Sequence, residues 1–192
     1  MSVTSYKSSG TQASVDRGIL KAGWSNPSYA SGDDGSRAIC DVGKGTYGKW
    51  LRLTNFGFTS SDVPSGATID GIEVSVNRQS EDSTKISDNA VYLRNGSAAQ
   101  AGDNKASATG WQTNSDEDFV YGGAEDDWNA GLVQTDIVDI DFGIDISADN
   151  SDIGATHEAQ VDDVKIRIYY TASGPSIPEP GYLNSYRRRR AT

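Results

Sequence analysis

The chain has 192 residues, a formal charge of −10, 35% hydrophobic residues and 21 glycines. That length suits one domain with a real core, and the hydrophobic share is too high for wholesale disorder. Acidity argues against nucleic-acid binding through the main surface, one cysteine excludes an intramolecular disulfide or a cysteine-rich zinc site, and no apolar run is long enough for a membrane-spanning helix.

The opening stretch MSVTSYKSSGTQASV lacks the basic-then-apolar order of a signal peptide, so cytoplasmic synthesis without encoded export is expected. Residues 1–19 are set apart as a loosely attached N-terminal segment. Short strand candidates follow in SRAICDV and GKWLRLTNFGF, and Cys40 in the first reads as a small buried residue. IDGIEVSVNR alternates with period two, placing Ile72, Val74 and Val76 inward and Glu73, Ser75 and Asn77 outward. NAVYLRN and DEDFVYG are further short candidates, and a helical turn is expected near Glu125–Gly131.

DIVDIDFGIDIS places Ile140, Phe142, Ile144 and Ile146 inward, with Asp139, Asp141 and Asp145 outward. VDDVKIRIYY places Val164, Ile166, Ile168 and Tyr170 inward, with Lys165, Arg167 and Tyr169 outward. If these two strands are neighbours, the aspartate row pairs across them with Lys165 and Arg167. Glycine-rich turns such as NPSYASGDDGS and VPSGATIDG separate the strands, and no 20–50-residue repeat occurs. The pattern predicts an all-β antiparallel fold, a sandwich or a barrel, over residues 1–172.

After Thr171 the composition changes. Pro175, Pro178 and Pro180 fall within six residues, which predicts an extended, partly stiff segment. Four arginines against Glu179 give residues 173–192 a net charge of +3, which leaves −13 on residues 1–172. The chain therefore ends in an extended proline- and arginine-rich tail.

Catalytic chemistry has little to work with. His157 is the one histidine, and it sits in no base–nucleophile signature; no phosphate or dinucleotide loop occurs. The sequence reads as non-enzymatic and cofactor-free. Calcium could take oxygen ligands from Asp33, Asp34, Asp126, Asp127, Asp149, Asn150 and Asp152, but none has the spacing of an EF-hand, and acidic side chains that stabilise turns locally are the preferred reading. Of the four tryptophans, Trp24 and Trp50 read as plugs of the sandwich ends. Trp111 and Trp128, flanked by polar residues, are the exposed candidates for glycan contact.

The stretches WSNPSYASGDDGSRA, LRLTNFGF, VPSGATIDGIEVSVNR, VYGGAEDDW, DIDFGIDIS and AQVDDVKIRIYYT, in that order, resemble a jelly-roll-type β-sandwich domain of tailed-bacteriophage virion structural proteins. The resemblance covers roughly residues 20–172 and excludes the tail. It implies a jelly-roll fold and a place in the virion, on a capsid, fibre or tail component, after synthesis in the host cytoplasm. A capsid decoration or head-spike protein is the first expectation, and a glycan- or receptor-binding module of a fibre the second. Particle symmetry implies a homo-oligomer, with a trimer as first choice. Within the tail, Tyr182, Leu183 and Tyr186 beside Arg187, Arg188, Arg189 and Arg190 combine anchors and charge. They form the expected docking segment for an acidic neighbouring virion protein such as a capsid, portal or tail subunit. A DNA-binding role for the arginines ranks below this, since outward display keeps packaged DNA out of reach.

Overall fold

A computed structural model describes residues 1–17, 21–81, 84–113 and 117–174. Within them the chain forms eleven antiparallel strands, in two sheets that enclose one core. The strands are β1 (Ser2–Val3), β2 (Lys7–Ser8), β3 (Thr11–Val15), β4 (Ala38–Val42), β5 (Trp50–Thr54) and β6 (Thr68–Ser80). They continue with β7 (Ile86–Arg94), β8 (Gln100–Ala101), β9 (Asp118–Gly122), β10 (Gly143–Asn150) and β11 (His157–Thr171).

The first sheet runs β4–β11–β6–β9, and the fifteen-residue β11 is its spine. β6 pairs along one edge of β11 from Thr68 to Ser80, while β1, β2 and β4 line the other edge end to end. The second sheet runs β3–β5–β10–β7–β8. Alternation explains the packing between them. Ile72, Val74, Val76, Val164, Ile166 and Ile168 of one sheet meet Leu51, Leu53, Val91, Leu93, Ile144 and Ile146 of the other, all fully buried. Fully burying each such side chain is worth about 1.5–3 kcal/mol, so the period-two pattern alone commits the chain to a two-layer fold.

Three expectations change. Residues 1–19 are no loose appendage as far as they are described: β1 and β2 complete the edge of β11, and β3 pairs with β5 from Thr11 to Val15. The turn at Glu125–Gly131 is not helical, because Asp126 and Asp127 accept the backbone N–H groups of Trp128 and Asn129 and bend the chain into side-chain-closed turns. A single helical turn, α1, instead spans Gln134–Ile137.

The third change concerns the aspartate row. β10 lies in the other sheet from β11, so Asp139, Asp141 and Asp145 face neither Lys165 nor Arg167. Asp139 accepts the N–H of Asp141 in the turn before the strand, and Ile140 is 64% exposed because β10 begins only at Gly143. Asp145 is fully buried and accepts from Arg52, Arg94 and Gln100 at 2.8–3.1 Å. Lys165 and Arg167 pair with carboxylates on their own sheet: Asp118 and Asp163 for the lysine, Glu73 for the arginine.

Candidate functional site

Two polar constructions and one chain exit organise the surfaces available for function. The first clamps the two sheets together. Asp88 of β7 accepts from the Arg78 guanidinium of β6, from Trp111 Nε1 at 2.9 Å, from the Tyr121 hydroxyl at 2.9 Å and from the N–H of Ser107 at 2.8 Å. Both charged side chains are almost wholly buried, and the guanidinium lies 3.9 Å from the Phe119 ring centroid. Burial pushes the Tyr121 hydroxyl well above its ordinary pKa, aided by the Asp88 charge. A cleft of ≈ 130 Å³ opens beside the clamp, walled by Arg78, Trp111, Glu117 and Phe119. Each carboxylate oxygen is already engaged, so the arrangement holds structure rather than a reacting group.

The second construction lies on the outer face of the first sheet. Glu73 accepts from the Tyr6 hydroxyl, from Tyr169 at 3.0 Å and from Arg167 at 2.8 Å, and so fastens the segment between β1 and β2 to the sheet. Burial alone would raise the Glu73 pKa, but the bonds from Tyr6, Arg167 and Tyr169 together hold it below the ordinary carboxylate value. Burial and Glu73 push the Tyr6 hydroxyl up to about 12. A depressed carboxyl stabilises the fold fully above its unfolded pKa and loses that contribution as pH falls through the folded one. Glu73→Gln should therefore flatten the acid side of a stability–pH curve, below the ordinary carboxylate range, and lower the plateau above it. Parallel acid limbs for the two proteins would rule this out.

The residues nominated for glycan contact are elsewhere. Trp111 and Trp128 are 1% and 0% exposed, which corrects the expectation that they lie on the surface. Their polar sequence neighbours turn outward while the rings turn in, because each indole N–H has a buried acceptor: Asp88 for Trp111 and the Ile72 carbonyl, at 2.9 Å, for Trp128. Gly122, at φ +70°, leaves room for the second ring, since a Cβ there would sit 2.3 Å from the indole nitrogen. Alanine at either tryptophan is expected to cost about 3–5 kcal/mol in urea unfolding, as for a core ring. A loss under ~1 kcal/mol would contradict this placement. Trp24 is buried within the core, whereas Trp50, although buried, lies outside the core cluster, on the outer face of the second sheet against Arg17 and Tyr92, so it does not plug the sandwich.

The calcium candidates do not converge. Asp126 pairs with Lys105 at 2.8 Å, Asp127 and Asp34 close turns at Asn129 and Ser36, and Asp152 binds His157 at 3.0 Å. Asn150 donates to the carbonyls of Val42 and Ala155, and Asp149, whose carboxyl burial raises, lies on β10. Among the described residues no three acidic, histidine or cysteine side chains group as a metal site. Cys40 is buried, and its thiol is pushed up to about 12 by burial and by Asp41.

The tail leaves the sandwich at a defined point. β11 ends at Thr171, whose hydroxyl donates to Asp70 at 2.7 Å, and Ser173 reaches the Ser65 carbonyl at 3.5 Å. A shallow groove of ≈ 350 Å³ lies there between Ser65–Ala67 and Val133–Thr135. The docking candidates Tyr182, Leu183, Tyr186 and Arg187–Arg190 lie outside the described residues. No helix among the described residues is long and apolar enough to cross a membrane. No family model, curated protein or solved structure matches this chain.

Proposed function

We propose that the chain is a non-catalytic virion structural protein of a tailed phage, a jelly roll that decorates the capsid as a homo-oligomer and attaches through its C-terminal arm. The observation that carries this reading is the strand order. β4–β11–β6–β9 faces β5–β10–β7–β8, so that, apart from the β7–β8 pair, successive strands alternate between sheets. That order supports reading the sandwich as an eight-stranded jelly roll, an architecture used in viral capsid and lectin domains. β1, β2 and β3 are then additions to its edges. The clamp at Asp88 and the buried Asp145 set support a rigid, charge-satisfied body, which suits a displayed structural part. The reading of a glycan-binding fibre module loses the two rings that carried it, Trp111 and Trp128.

Quantitative mass spectrometry of purified particles tests the placement. A copy number that follows the capsid lattice is expected. A number matching a single appendage would move the protein to a fibre or tail, and absence from particles would end the reading.

A further inference from the structure

The outer face of the second sheet is basic and aromatic on an otherwise acidic body. Leu51, Leu53, Ile144 and Ile146 point into the core, so their alternates Trp50, Arg52 and Asp145 point away from it, with Tyr92 opposite Asp145. Trp50 and Tyr92 meet edge to face at 6.3 Å. The Arg17 guanidinium lies 3.8 Å from the Trp50 ring centroid and 4.7 Å from that of Tyr47. Lys21 Nζ sits 4.2 Å from the same Tyr47 ring, which is thus flanked by two half-buried cations.

Among the described residues no carboxylate lies within ion-pairing distance of Arg17 or Lys21. Asp145 is taken up by Arg52, Arg94 and Gln100, Asp16 lies 3.6 Å from Lys49, and Asp149 stands across a β-bridge from Tyr47. Five cations, Arg17, Lys21, Lys49, Arg52 and Arg94, thus stand against these three carboxylates, a local net of +2 on a body whose residues 1–172 carry −13. Burial pulls the Arg17 pKa below its ordinary value, against the weaker pull of Tyr47, Tyr92 and Asp145. A cation held by rings and neutral groups, and partly stripped of water, gains from an incoming anion.

The geometry narrows the anion. Trp50 is 8% exposed beneath Arg17, so it offers no open ring to a sugar face or a nucleobase. A polyanion would meet the negative charge of the whole body. A single carboxylate would not, because at physiological ionic strength screening acts over ~8 Å and the nearby cations dominate. Arg17 gives Asn89 and Ser147 bonds from one nitrogen, Nη1. Among the described residues nothing accepts from its Nε or Nη2, and that edge matches the two oxygens of a carboxylate.

We infer that this face is a second contact on the acidic virion neighbour that takes the arm, with one side-chain carboxylate of that neighbour held between Arg17 and Lys21 beside Tyr47. The inference rests on the arm-docking part of the proposed function. A surface that attracts the +3 arm repels a −13 body, so the body settles on it only through a face of opposite sign. The arm permits that orientation. Gly174 to Arg187 is thirteen residues, about 40 Å when extended, against sheets ~10 Å apart. Once the arm is bound the second contact is intramolecular, so one weak pair is enough to orient the body.

Two measurements test it. In the first, the full chain with serine at Arg187–Arg190, which silences the arm, is titrated by NMR with a blocked Gly-Glu-Gly peptide and with its Gly-Gln-Gly counterpart. The glutamate peptide alone is expected to shift the Tyr47 and Trp50 signals. Lys21→Glu should remove the shifts. Lys44→Glu, the same charge change at an exposed lysine of the β4–β5 turn, should keep them. In the second, with the arm intact, Lys21→Glu should attach to particles lacking the protein about tenfold more weakly than Lys44→Glu. Unaltered thermal melts show that each variant folds. No shift, equal shifts from both peptides, or equal attachment of the two variants would each overturn the inference. So would shifts from a uronate saccharide and none from the peptide, since the face would then serve a glycan. The titration needs no particles. A protein absent from particles fails the proposed function and the neighbour with it, whereas a decorating protein with a silent face fails this inference alone.

Discussion

Ending the chain at Ser173 is expected to leave the melting temperature unchanged and to abolish attachment to particles. The first half follows from the fold. β11 closes its ladder at Thr171, and the last described anchors are the Thr171 bond to Asp70 and the Ser173 bond to Ser65, both kept in the shortened chain. The second half rests on the proposed attachment through the arm, since the segment removed carries four arginines and two tyrosines against one glutamate. Serine at Arg187–Arg190 gives the graded form of the experiment. Exposed ion pairs are worth ~0.2–1 kcal/mol each, so losing four weakens attachment by about four-fold to several-hundred-fold at low salt. The difference should shrink as salt rises. Full occupancy of particles by the shortened chain would show that the arm is not the tether.

Asp88→Ala should be among the most destabilising single changes in the body. It removes the acceptor of four donors at once and leaves the Arg78 guanidinium buried without a counter-charge. Breaking a buried pair on one side costs about 3–5 kcal/mol, a large fraction of the ~5–15 kcal/mol that holds a domain together. Arg78→Met combined with Asp88→Leu should recover only the part due to the stranded charge, because Trp111, Tyr121 and Ser107 still lose their acceptor. Urea unfolding measures both, with an unchanged denaturant slope as the sign that the unfolded state is unaltered. If the double variant is no better than Asp88→Ala, the cost lies in packing and not in the stranded cation.

These contacts show where sequence reading succeeds and where it stops. The alternation of Ile72, Val74 and Val76, and of Val164, Ile166 and Ile168, is a local property, and both runs became the central pair β6–β11. Local pattern could not say which sheet a strand joins. Asp145 sits in a polar alternation that reads as solvent-facing, yet it is buried because Arg52, Arg94 and Gln100 arrive from three other strands. Trp111 and Trp128 failed for the same reason, their partners Asp88 and Ile72 lying 23 and 56 residues away. β1 and β2 are two residues each and carry no period at all. The basic-aromatic face had no linear signal either, since Arg17, Trp50 and Tyr92 meet only through the pairing of separate strands.

The long spine strand has a mechanical consequence. A load applied at the C-terminal exit pulls along the axis of β11, parallel to a ladder that runs from Ala159 to Thr171 against β6. The opposite edge adds β4, β2 and β1 in series along the same axis. Sliding the strand out requires those hydrogen bonds to break together in shear, whereas a hairpin pulled from its open end unzips one bond at a time. A body tethered from this end would therefore yield to force at its arm before it yields at its core.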